Sequence, residues 1–433
     1  MKLYSHQQKI IDENPQKCGI FLGTGGGKTL TALMLAKGRT LVICPKTIRD
    51  AKIWERQLEK MSDVSEGPSS LTVISKEEFK SPKFFAIQFE TVIIDECHTM
   101  FGVTPATKQI KYVKFPKTSQ LFESLQMYLK NYSPDRLYFC SATPVSKPMH
   151  LWALATLLGK KWDWFAFRQK YYFEMQRGVF IPRKSKDLKD RLAELTKHFG
   201  YTGQLSDWFD VPEQTHKVVH FGLTPKQEKA VRDIDTSEAD PLVRRSKIRT
   251  IENGVLYAKK IERFTEHVEN LVDSVEIFPS EKIDYILERA EEFPKILIFA
   301  AYTAQIQQIV IALKKEGFPV VMLMGATKDR GTLLAEAEKA SFCIVVAQSS
   351  ISAGYELPSF PCVIYASKSY RYVDYEQSLG RVLRANHLKK NLYLHLVVTG
   401  DADEACHETI MDGRDFSEMI QSQDAENQKE PDY

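Results

Sequence analysis

A run of glycines followed by a lysine and a threonine has the clearest chemistry in this sequence. The segment GIFLGTGGGKTLTALMLA has the order of an apolar strand, a glycine-rich turn and a helix. Glycines let backbone N–H groups close around phosphate oxygens, and a helix N-terminus adds partial positive charge. The residues expected to hold a triphosphate are Gly23, Thr24, Gly25, Gly26, Gly27, Lys28 and Thr29.

Two residues of this loop have distinct expected roles. Lys28 is expected to reach the β- and γ-phosphates, and Thr29 to offer its hydroxyl to Mg²⁺. The strict phosphate-loop pattern has a glycine where this chain has Leu22. A glycine-rich turn that binds no ligand is therefore the alternative, although the strand and the helix stand in the required places.

Acidic residues end a later apolar run, TVIIDECHT. Beside a phosphate loop, Asp95 is expected to bind Mg²⁺ and Glu96 to orient or deprotonate the attacking water. His98 is expected near the γ-phosphate, where it would report the state of the nucleotide. A zinc pair of Cys97 and His98 is the alternative, but no CxxC or HxxxH partner lies nearby.

Short apolar runs separated by helical patterns must position these groups. The first block contains runs at 19–23, 40–45, 71–75, 91–95 and 137–143, and the second contains runs at 295–300, 319–325, 342–348, 361–367 and 392–398. Such runs are typical of strands buried on both faces of a parallel sheet. Helical patterns between them include IRDAKIWERQLEKM. The fold class predicted is α/β, with two parallel-sheet domains in tandem.

The region between the two blocks differs in composition. It is rich in aromatic and charged residues, has helical periodicity, and contains a hairpin pattern that turns at Arg177-Gly178. We expect domain 1 at 1–159, a mainly helical insertion at 160–278, domain 2 at 279–412 and a flexible polar tail at 413–433.

Composition narrows the class of protein. The 433 residues are too many for one core, and the net charge of +3 does not by itself indicate a nucleic-acid partner. The N-terminus has no secretory apolar segment, and no run is long enough to span a bilayer. Seven scattered cysteines without a CxxC pair favour buried reduced thiols over disulfides or zinc, and hence a cytoplasmic location.

Four segments together resemble the superfamily 2 helicases. GTGGGKT, DECH, SAT (141–143) and QSLGRVLR (377–384) have the order and spacing of helicase motifs I, II, III and VI. The resemblance implies two RecA-like domains facing each other across a cleft, with ATP and Mg²⁺ as cofactors. Arg381 and Arg384 would share one helix face and meet the γ-phosphate charge from the second domain. A pair of surface arginines is the alternative.

The same resemblance assigns further contacts. Gln7 in LYSHQ would read the adenine edge, unless it is only solvated. Further residues expected at the nucleotide are Gly354, Glu356 and Gln377, and those expected at nucleic acid are Pro45, Lys46, Thr47, Ser75, Thr303, Ser349 and Ser350. Lys46 could instead be a merely solvated lysine.

Two basic stretches offer a further nucleic-acid surface. Lys108, Lys111, Lys114 and Lys117 alternate with Tyr112 and Phe115, a pattern that suits a phosphate backbone and stacked bases, or equally a solvated face. RGVFIPRKSKDLKDR is the other basic stretch. The segment 101–134 is long for a connection. Either it or the hairpin near Arg177 is our hypothesis for a wedge at a strand junction.

A closer resemblance is to the Swi/Snf-related branch. It is carried by SATPVSKPMHLWALATLLG, by LTPKQEKA, KIRTIENGV and EKIDYILE, and by NLYLHLVVTGDADEACHETI. Within that branch, the compact size resembles phage-encoded proteins that remodel branched or forked DNA, although DECH replaces the more usual DEGH or DEAH. The implied function is an ATP-dependent DNA helicase that unwinds, branch-migrates or remodels forks in replication, recombination or repair.

Alternatives to this function remain open. One is a double-stranded DNA translocase that remodels protein–DNA complexes without strand separation, and another is a nucleotide-gated DNA clamp. The preference for DNA over RNA rests on the Swi/Snf resemblance alone. We expect a monomer in a bacterial or phage-infected cytoplasm, with replication or recombination proteins as partners and no membrane contact.

Overall fold

The structure, a computed structural model, divides the chain into two compact units, Met1–Val211 and Pro212–Tyr433. It describes residues 3–61, 67–81, 84, 86–110, 113–176, 179–183, 188–238, 241–265, 268–325, 327, 329–351, 355–384, 388–400 and 402–413. The predicted tail, apart from residue 413, lies outside the described residues.

The first unit is built on a parallel sheet. Its strands are β1 (Lys17–Leu22), β2 (Arg39–Cys44), β3 (Ser70–Ser75), β4 (Thr91–Asp95), β5 (Val103–Ile110), β6 (Val113–Thr118), β7 (Arg136–Cys140), β8 (Tyr172–Gln176), β9 (Val179–Pro182) and β10 (Gly200–Gly203). Its helices are α1 (Ser5–Glu13), α2 (Lys28–Leu35), α3 (Lys46–Asp50), α4 (Ile53–Glu59), α5 (Gln120–Tyr132), α6 (Pro148–Leu157), α7 (Trp164–Tyr171) and α8 (Leu188–Lys197).

Six of these strands form the sheet in the order β10-β1-β7-β4-β2-β3, and each pairing is parallel. The four central strands are almost fully buried, as expected for apolar strands covered on both faces, whereas the edge strands β3 and β10 are largely half-buried. The carboxyl ends of the parallel strands therefore share one edge, where the segments after Leu22, Cys44, Ser75, Asp95 and Cys140 begin. Antiparallel hairpins β5–β6 and β8–β9 lie outside this sheet.

The second unit repeats this architecture. Its strands are β11 (Thr215–Phe221), β12 (Val255–Thr265), β13 (Val268–Ile277), β14 (Lys295–Ala300), β15 (Val320–Leu323), β16 (Cys343–Gln348), β17 (Cys362–Tyr365) and β18 (Leu392–Val398). Its helices are α9 (Pro225–Ser237), α10 (Pro241–Glu252), α11 (Glu281–Glu292), α12 (Thr303–Lys315), α13 (Arg330–Lys339), α14 (Tyr372–Leu379) and α15 (Ala402–Met411). The six-stranded sheet has the order β11-β18-β17-β14-β16-β15 and parallel pairings, and β12–β13 form a separate hairpin.

The fold class predicted from the apolar runs is confirmed, since each run in both blocks overlaps a strand of a parallel sheet. The helical pattern at 48–61 differs in detail. It forms two helices, α3 and α4, because Lys52 adopts a left-handed conformation with φ of 50° between them.

The region 160–278 does not form a unit of its own. The division between the units falls inside it, because β10 extends the first sheet and β11 extends the second. Alongside the expected helices α7 to α10 it contains strands that the periodicity did not reveal. The predicted hairpin near 177 is confirmed as β8–β9, while Arg177 and Gly178 themselves lie outside the described residues.

Two further predictions concern the state of the cysteines and the presence of membrane-spanning segments. The seven cysteines are free and buried, as predicted. Among the described residues, no helix is both long enough and apolar enough to cross a membrane.

Candidate nucleotide-binding site

The glycine loop connects β1 to α2 in the first unit. Gly25 and Gly27 have φ of 83° and 81°, a left-handed conformation that favours glycine. The N–H of Gly26 donates to the carbonyl of Gly23 at 3.0 Å, which closes the turn. Leu22, the departure from the strict pattern, is a buried core residue at the end of β1. The position therefore serves the core, and the turn begins one residue later.

Lys28 begins α2 and its side chain lies over the loop. Its Nζ donates to the carbonyl of Leu22 at 2.9 Å and to that of Gly23 at 3.3 Å. The ammonium group is thus held at the mouth of a turn whose N–H groups precede a helix, which is the arrangement that binds phosphate. Thr29 follows in the first turn of the same helix, and both side chains are partly exposed.

Asp95 ends β4, and its carboxylate is buried. Its Oδ2 accepts a hydrogen bond from the indole N–H of Trp54 at 3.0 Å, and its Oδ1 accepts one from the backbone N–H of Glu96 at 2.9 Å. Burial and the neighbouring Glu96 raise the pKa of Asp95 to about 7, although Trp54 and Lys28 oppose this shift. The carboxylate therefore has donors but lacks full compensation of its charge.

Glu96, His98 and Ser141 form a small hydrogen-bonded group at the same edge. Nδ1 of His98 lies 3.1 Å from Oγ of Ser141, and Ser141 Oγ lies 3.4 Å from Oε2 of Glu96. Glu96 has a left-handed backbone with φ of 46°, which is strained for a residue with a side chain. The structure thus brings DECH and SAT together at this edge of the sheet.

Gln7 lies behind the glycine loop. Its Oε1 accepts from the N–H of Tyr4 at 2.9 Å, and its Nε2 lies 3.4 Å from the carbonyl of Gly27 and 3.5 Å from Oγ1 of Thr31. A side chain at Gly27 would collide with this amide. Gln7 therefore supports the loop, and its role at adenine stays a prediction.

An aromatic group also supports the loop, which the sequence motifs do not reveal. The His6 and Trp208 rings stack with centroids 3.8 Å apart, and Nε2 of His6 lies 3.0 Å from the carbonyl of Gly26. Trp208 also packs against Gly203 and Gly26 so closely that a side chain at Gly203 would collide with it. Only the pairing of β10 with β1 brings Trp208 here, so no local pattern could have indicated it.

The residues present fit a nucleotide-bound Mg²⁺ better than zinc. Asp95 offers a buried, incompletely compensated carboxylate, and Mg²⁺ prefers oxygen ligands, often one or two carboxylates with phosphate oxygens and water. Burial raises the pKa of the Cys97 thiol well above its ordinary value, which disfavours the thiolate that zinc requires. Among the described residues, no group of three or more His, Cys, Asp or Glu residues is arranged to hold a metal.

The two motif VI arginines of the second unit do not lie on a helix face. Helix α14 ends at Leu379, so the helical spacing predicted for Arg381 and Arg384 is wrong. Gly380 caps the helix, Arg381 lies in the turn that follows, and Arg384 lies beyond that turn. They are nevertheless neighbours, because both guanidinium groups lie near the carbonyl of Tyr355, at 2.7 Å for Arg381 and 3.5 Å for Arg384.

The surroundings of these arginines differ. Arg381 Nε also donates to the carbonyl of Gln377 at 2.8 Å, whereas Arg384 contacts the exposed Glu356 at 3.3 Å. Burial and the neighbouring Arg381 lower the pKa of Arg384 to about 10. Arg384 is thus a mostly buried cation with weak compensation. Gly354, predicted at the nucleotide, lies outside the described residues.

The predicted nucleic-acid residues of the first unit follow strand ends. Pro45 caps α3, Lys46 is exposed, and Thr47 is partly exposed. Ser75 is buried, and its hydroxyl accepts from the N–H of Glu78 at 3.2 Å. It therefore caps a local turn rather than facing outward. Lys114 lies in β6, and Lys111 lies outside the described residues.

In the second unit, the corresponding residues follow the adjacent strands β14 and β16. Thr303 begins α12 and is exposed, as is Ser350. Ser349 is buried, and its hydroxyl donates to the carbonyl of Ser367 at 3.3 Å. The structure therefore places Thr303 and Ser350 as the accessible members of this group.

A buried ion cluster lies near the same edge of the second sheet. The carboxylate of Asp403 accepts from Lys282 at 3.0 Å, from Asn253 at 3.0 Å and from Arg249 at 3.3 Å. Lys282 also donates to the carbonyl of Ala366, at the end of β17. Burial alone would raise the pKa of Asp403, but Lys282 and Arg249 hold it well below its ordinary value.

Comparison with known proteins finds a family model that matches part of the chain. Residues 280–386 match the family model described as Helicase conserved C-terminal domain. This segment contains Thr303, Ser349, Arg381 and Arg384. A search of curated proteins finds no significant match.

Two solved structures are similar along most of the chain. The Sulfolobus solfataricus SWI2/SNF2 ATPase core in complex with dsDNA is 17% identical, with 98% of this chain and 94% of that chain covered and a TM-score of 0.38. The Pyrococcus furiosus Hef helicase domain is 14% identical, with 94% and 97% covered and a TM-score of 0.49. Similarities of this size say nothing about what this chain binds.

Proposed function

We propose that this protein is an ATP-dependent DNA helicase or translocase. The observation that carries the proposal is the first unit's sheet edge, where the glycine loop and Lys28 lie beside the Asp95–Glu96 carboxylates. A phosphate cradle next to a metal-binding carboxylate and a candidate base is what triphosphate hydrolysis requires. The helicase C-terminal match in the second unit supports a motor rather than a simple nucleotide switch.

In this proposal each residue of the first unit has a defined task. The loop N–H groups and Lys28 hold the phosphates, while Glu96 accepts a proton from the attacking water. Ser141 and His98 keep the Glu96 carboxylate in place through their hydrogen bonds. Thr29 and Asp95 hold Mg²⁺, which supplies positive charge to the phosphate oxygens when bound.

Arg381 and Arg384 supply further positive charge to the transition state of hydrolysis. Their convergence near Tyr355 supports this role, because the weakly compensated Arg384 can gain from an anionic ligand. Glu356 beside Arg384 would compete with that ligand for the guanidinium group.

The nucleic acid is proposed to be DNA with a fork or branch, contacted at its phosphates. Lys46, Thr303 and Ser350 are exposed at the sheet edges and suit backbone contacts, which position a duplex without reading its sequence. The hairpins β5–β6 and β8–β9 are the candidates for a strand-separating element, because each lies outside the main sheet. Roles in replication, recombination or repair follow if forked DNA is the substrate.

The decisive experiment measures ATP turnover and strand separation with single-stranded, duplex, forked and four-way DNA, and with RNA. We expect forked or four-way DNA to stimulate turnover most, and Glu96→Gln to lower the stimulated kcat by about 10²–10⁴-fold because it removes the base. Glu59→Gln, which changes an exposed acid of α4, is the matched control and should behave as wild type.

The other outcomes separate the alternatives. Turnover stimulated by duplex DNA without strand separation would favour a double-stranded DNA translocase. Turnover unaffected by any DNA would contradict a DNA motor, and stimulation by RNA alone would contradict the choice of DNA.

A further inference from the structure

The sequence predicts no chemical role for Trp54, yet its side chain contacts the candidate metal-binding carboxylate directly. It belongs to α4 and is fully buried. Its indole N–H donates to Oδ2 of Asp95 at 3.0 Å, across a separation of 41 residues. An indole N–H is a donor only, so Trp54 can hold this oxygen but cannot compete for a metal ion.

The Asp95 carboxylate is fixed by donors from two different elements. Trp54 holds Oδ2 from α4, and the backbone N–H of Glu96 holds Oδ1 at 2.9 Å. One donor would leave the carboxylate plane free to rotate about the Cβ–Cγ bond. Two donors on different oxygens define that plane, while each oxygen keeps a lone pair for a further ligand.

Packing keeps Trp54 in this position. Helix α4 begins after the left-handed Lys52, and Trp54 in its first turn joins the core formed with Leu33 of α2 and Cys44 of β2. The ring therefore belongs to a close-packed interior and has little freedom to change rotamer.

A buried tryptophan in this unit does not require a partner for its N–H. Trp152 and Trp164 are also buried in the first unit, and within the described residues their indole nitrogens have no hydrogen-bond partner. The fold therefore tolerates buried indoles without acceptors. The bond from Trp54 to Asp95 is thus specific to the site, rather than a general consequence of burying the ring.

We propose that Trp54 is a positioning residue that holds the Asp95 carboxylate in the orientation that binds the Mg²⁺ of the nucleotide. Partners that orient a metal ligand typically change metal affinity by about 10–100-fold when they are removed. The inference rests on the proposed function, because it assumes that a nucleotide with Mg²⁺ binds at this edge.

Direct binding provides the test. Fluorescent ADP is titrated into full-length wild type, Trp54→Phe and Trp164→Phe, first in EDTA and then at rising Mg²⁺ concentration. We expect Trp54→Phe to raise the Mg²⁺ concentration for half-saturation by about 10-fold, with the affinity in EDTA unchanged. Trp164→Phe makes the same change at an indole without an acceptor and should match wild type in both titrations.

Unchanged Mg²⁺ half-saturation in Trp54→Phe would overturn the inference. An equal loss of affinity in EDTA, or an equal effect of Trp164→Phe, would also overturn it, because either would indicate general damage to the core. If wild type binds nucleotide without any Mg²⁺ dependence, the proposed function itself fails. Should Trp54→Phe not fold by circular dichroism, benzothienylalanine at position 54 keeps the ring size without the N–H, and the same outcomes apply.

Discussion

Two buried aspartates, one in each unit, show opposite electrostatics. Asp95 is 7% exposed, and burial with the neighbouring Glu96 raises its pKa to about 7. Asp403 is 4% exposed, yet Lys282 and Arg249 hold its pKa well below the ordinary value. Equal burial therefore does not give equal behaviour, because the positions of the surrounding cations decide it.

This difference in electrostatics distinguishes a candidate binding residue, Asp95, from a residue that stabilises the core, Asp403. Asp403 has three side-chain donors, two of them charged, so its negative charge is already matched. The two hydrogen bonds described for Asp95 come from neutral donors, and its raised pKa shows that its charge is not fully compensated, so a cationic ligand would still gain from binding it. The arginines of the second unit follow the same division. Burial opposes the charge of Arg249, but this guanidinium lies 3.3 Å from the Asp403 carboxylate and its pKa stays high, whereas burial lowers the pKa of Arg384 to about 10.

The largest effect that we expect concerns those arginines. Arg384→Ala should lower kcat for ATP by about 10³-fold or more, since an arginine at a phosphoryl transition state contributes about 10³–10⁵ in rate. Nucleotide affinity and the thermal midpoint should change little, because its contacts with Tyr355 and Glu356 are weak. Steady-state turnover, nucleotide binding and calorimetry measure the three quantities.

Arg249→Ala serves as the contrasting variant. It should lower the thermal midpoint clearly, because it leaves Asp403 less compensated in the core. If Arg384→Ala instead turned over ATP at the wild-type rate and was as unstable as Arg249→Ala, Arg384 would have a structural role like that of Arg249. The proposed difference between the two arginines would then be wrong.

The second prediction concerns the aspartates themselves. Asp403→Asn should lower the free energy of unfolding by about 3–5 kcal/mol, because it leaves Lys282 and Arg249 buried with one anion fewer. Asp95→Asn should leave stability unchanged or slightly higher at neutral pH, since it removes a poorly compensated charge. Thermal unfolding of both variants at pH 7.5 provides the measurement.

The pH dependence of protein stability provides a second test of the role of Asp403. The folded pKa of Asp403 is depressed, so its stabilisation is present above the unfolded value of about 3.9 and is lost as the pH falls below it. The gap between wild type and Asp403→Asn should therefore shrink in acid. A gap that stays constant from neutral pH to pH 3 would contradict the ion-pair explanation.

The sequence indicates Asp95 but not Asp403, for a physical reason. Asp95 stands beside its functional neighbour Glu96 at the end of an apolar strand, so a local pattern contains it. The partners of Asp403 are 121 and 154 residues away, and only the fold brings them together. Trp54 and the edge strands β10 and β11 escape prediction similarly, since their contacts are made at long range.

The parallel sheets themselves could be predicted, because strands buried on both faces need continuous apolar runs. The positions of Arg381 and Arg384 could not. Their spacing suits a helix, but Gly380 ends α14 before either residue, and convergence on the Tyr355 carbonyl replaces the predicted helix face. The sequence pattern therefore indicated that these two arginines would be neighbours, but not the local backbone that presents them.

The smallest effect that we expect concerns the aromatic side chains that support the glycine loop of the first unit. Trp208 stacks on His6, which in turn contacts the carbonyl of Gly26. An aromatic pair contributes about 0.5–1.5 kcal/mol beyond its burial. Trp208→Leu should therefore weaken nucleotide binding by about 2–10-fold, with Trp208→Phe closer to wild type. Fluorescent-nucleotide titration in EDTA isolates this effect from the metal.

Trp162→Leu is the matched control, because Trp162 also stacks on an aromatic neighbour, Phe167, and packs edge-to-face with Phe199, but makes no described contact with the loop. It should lose stability without losing nucleotide affinity. If Trp208→Leu and Trp162→Leu weakened binding equally, the loop would depend on the general stability of the unit rather than on its aromatic neighbour. If Trp208→Leu instead abolished nucleotide binding, the aromatic stack would be as essential to the first unit as the Asp403 ion cluster is to the second. The contrast between the two units would then be wrong.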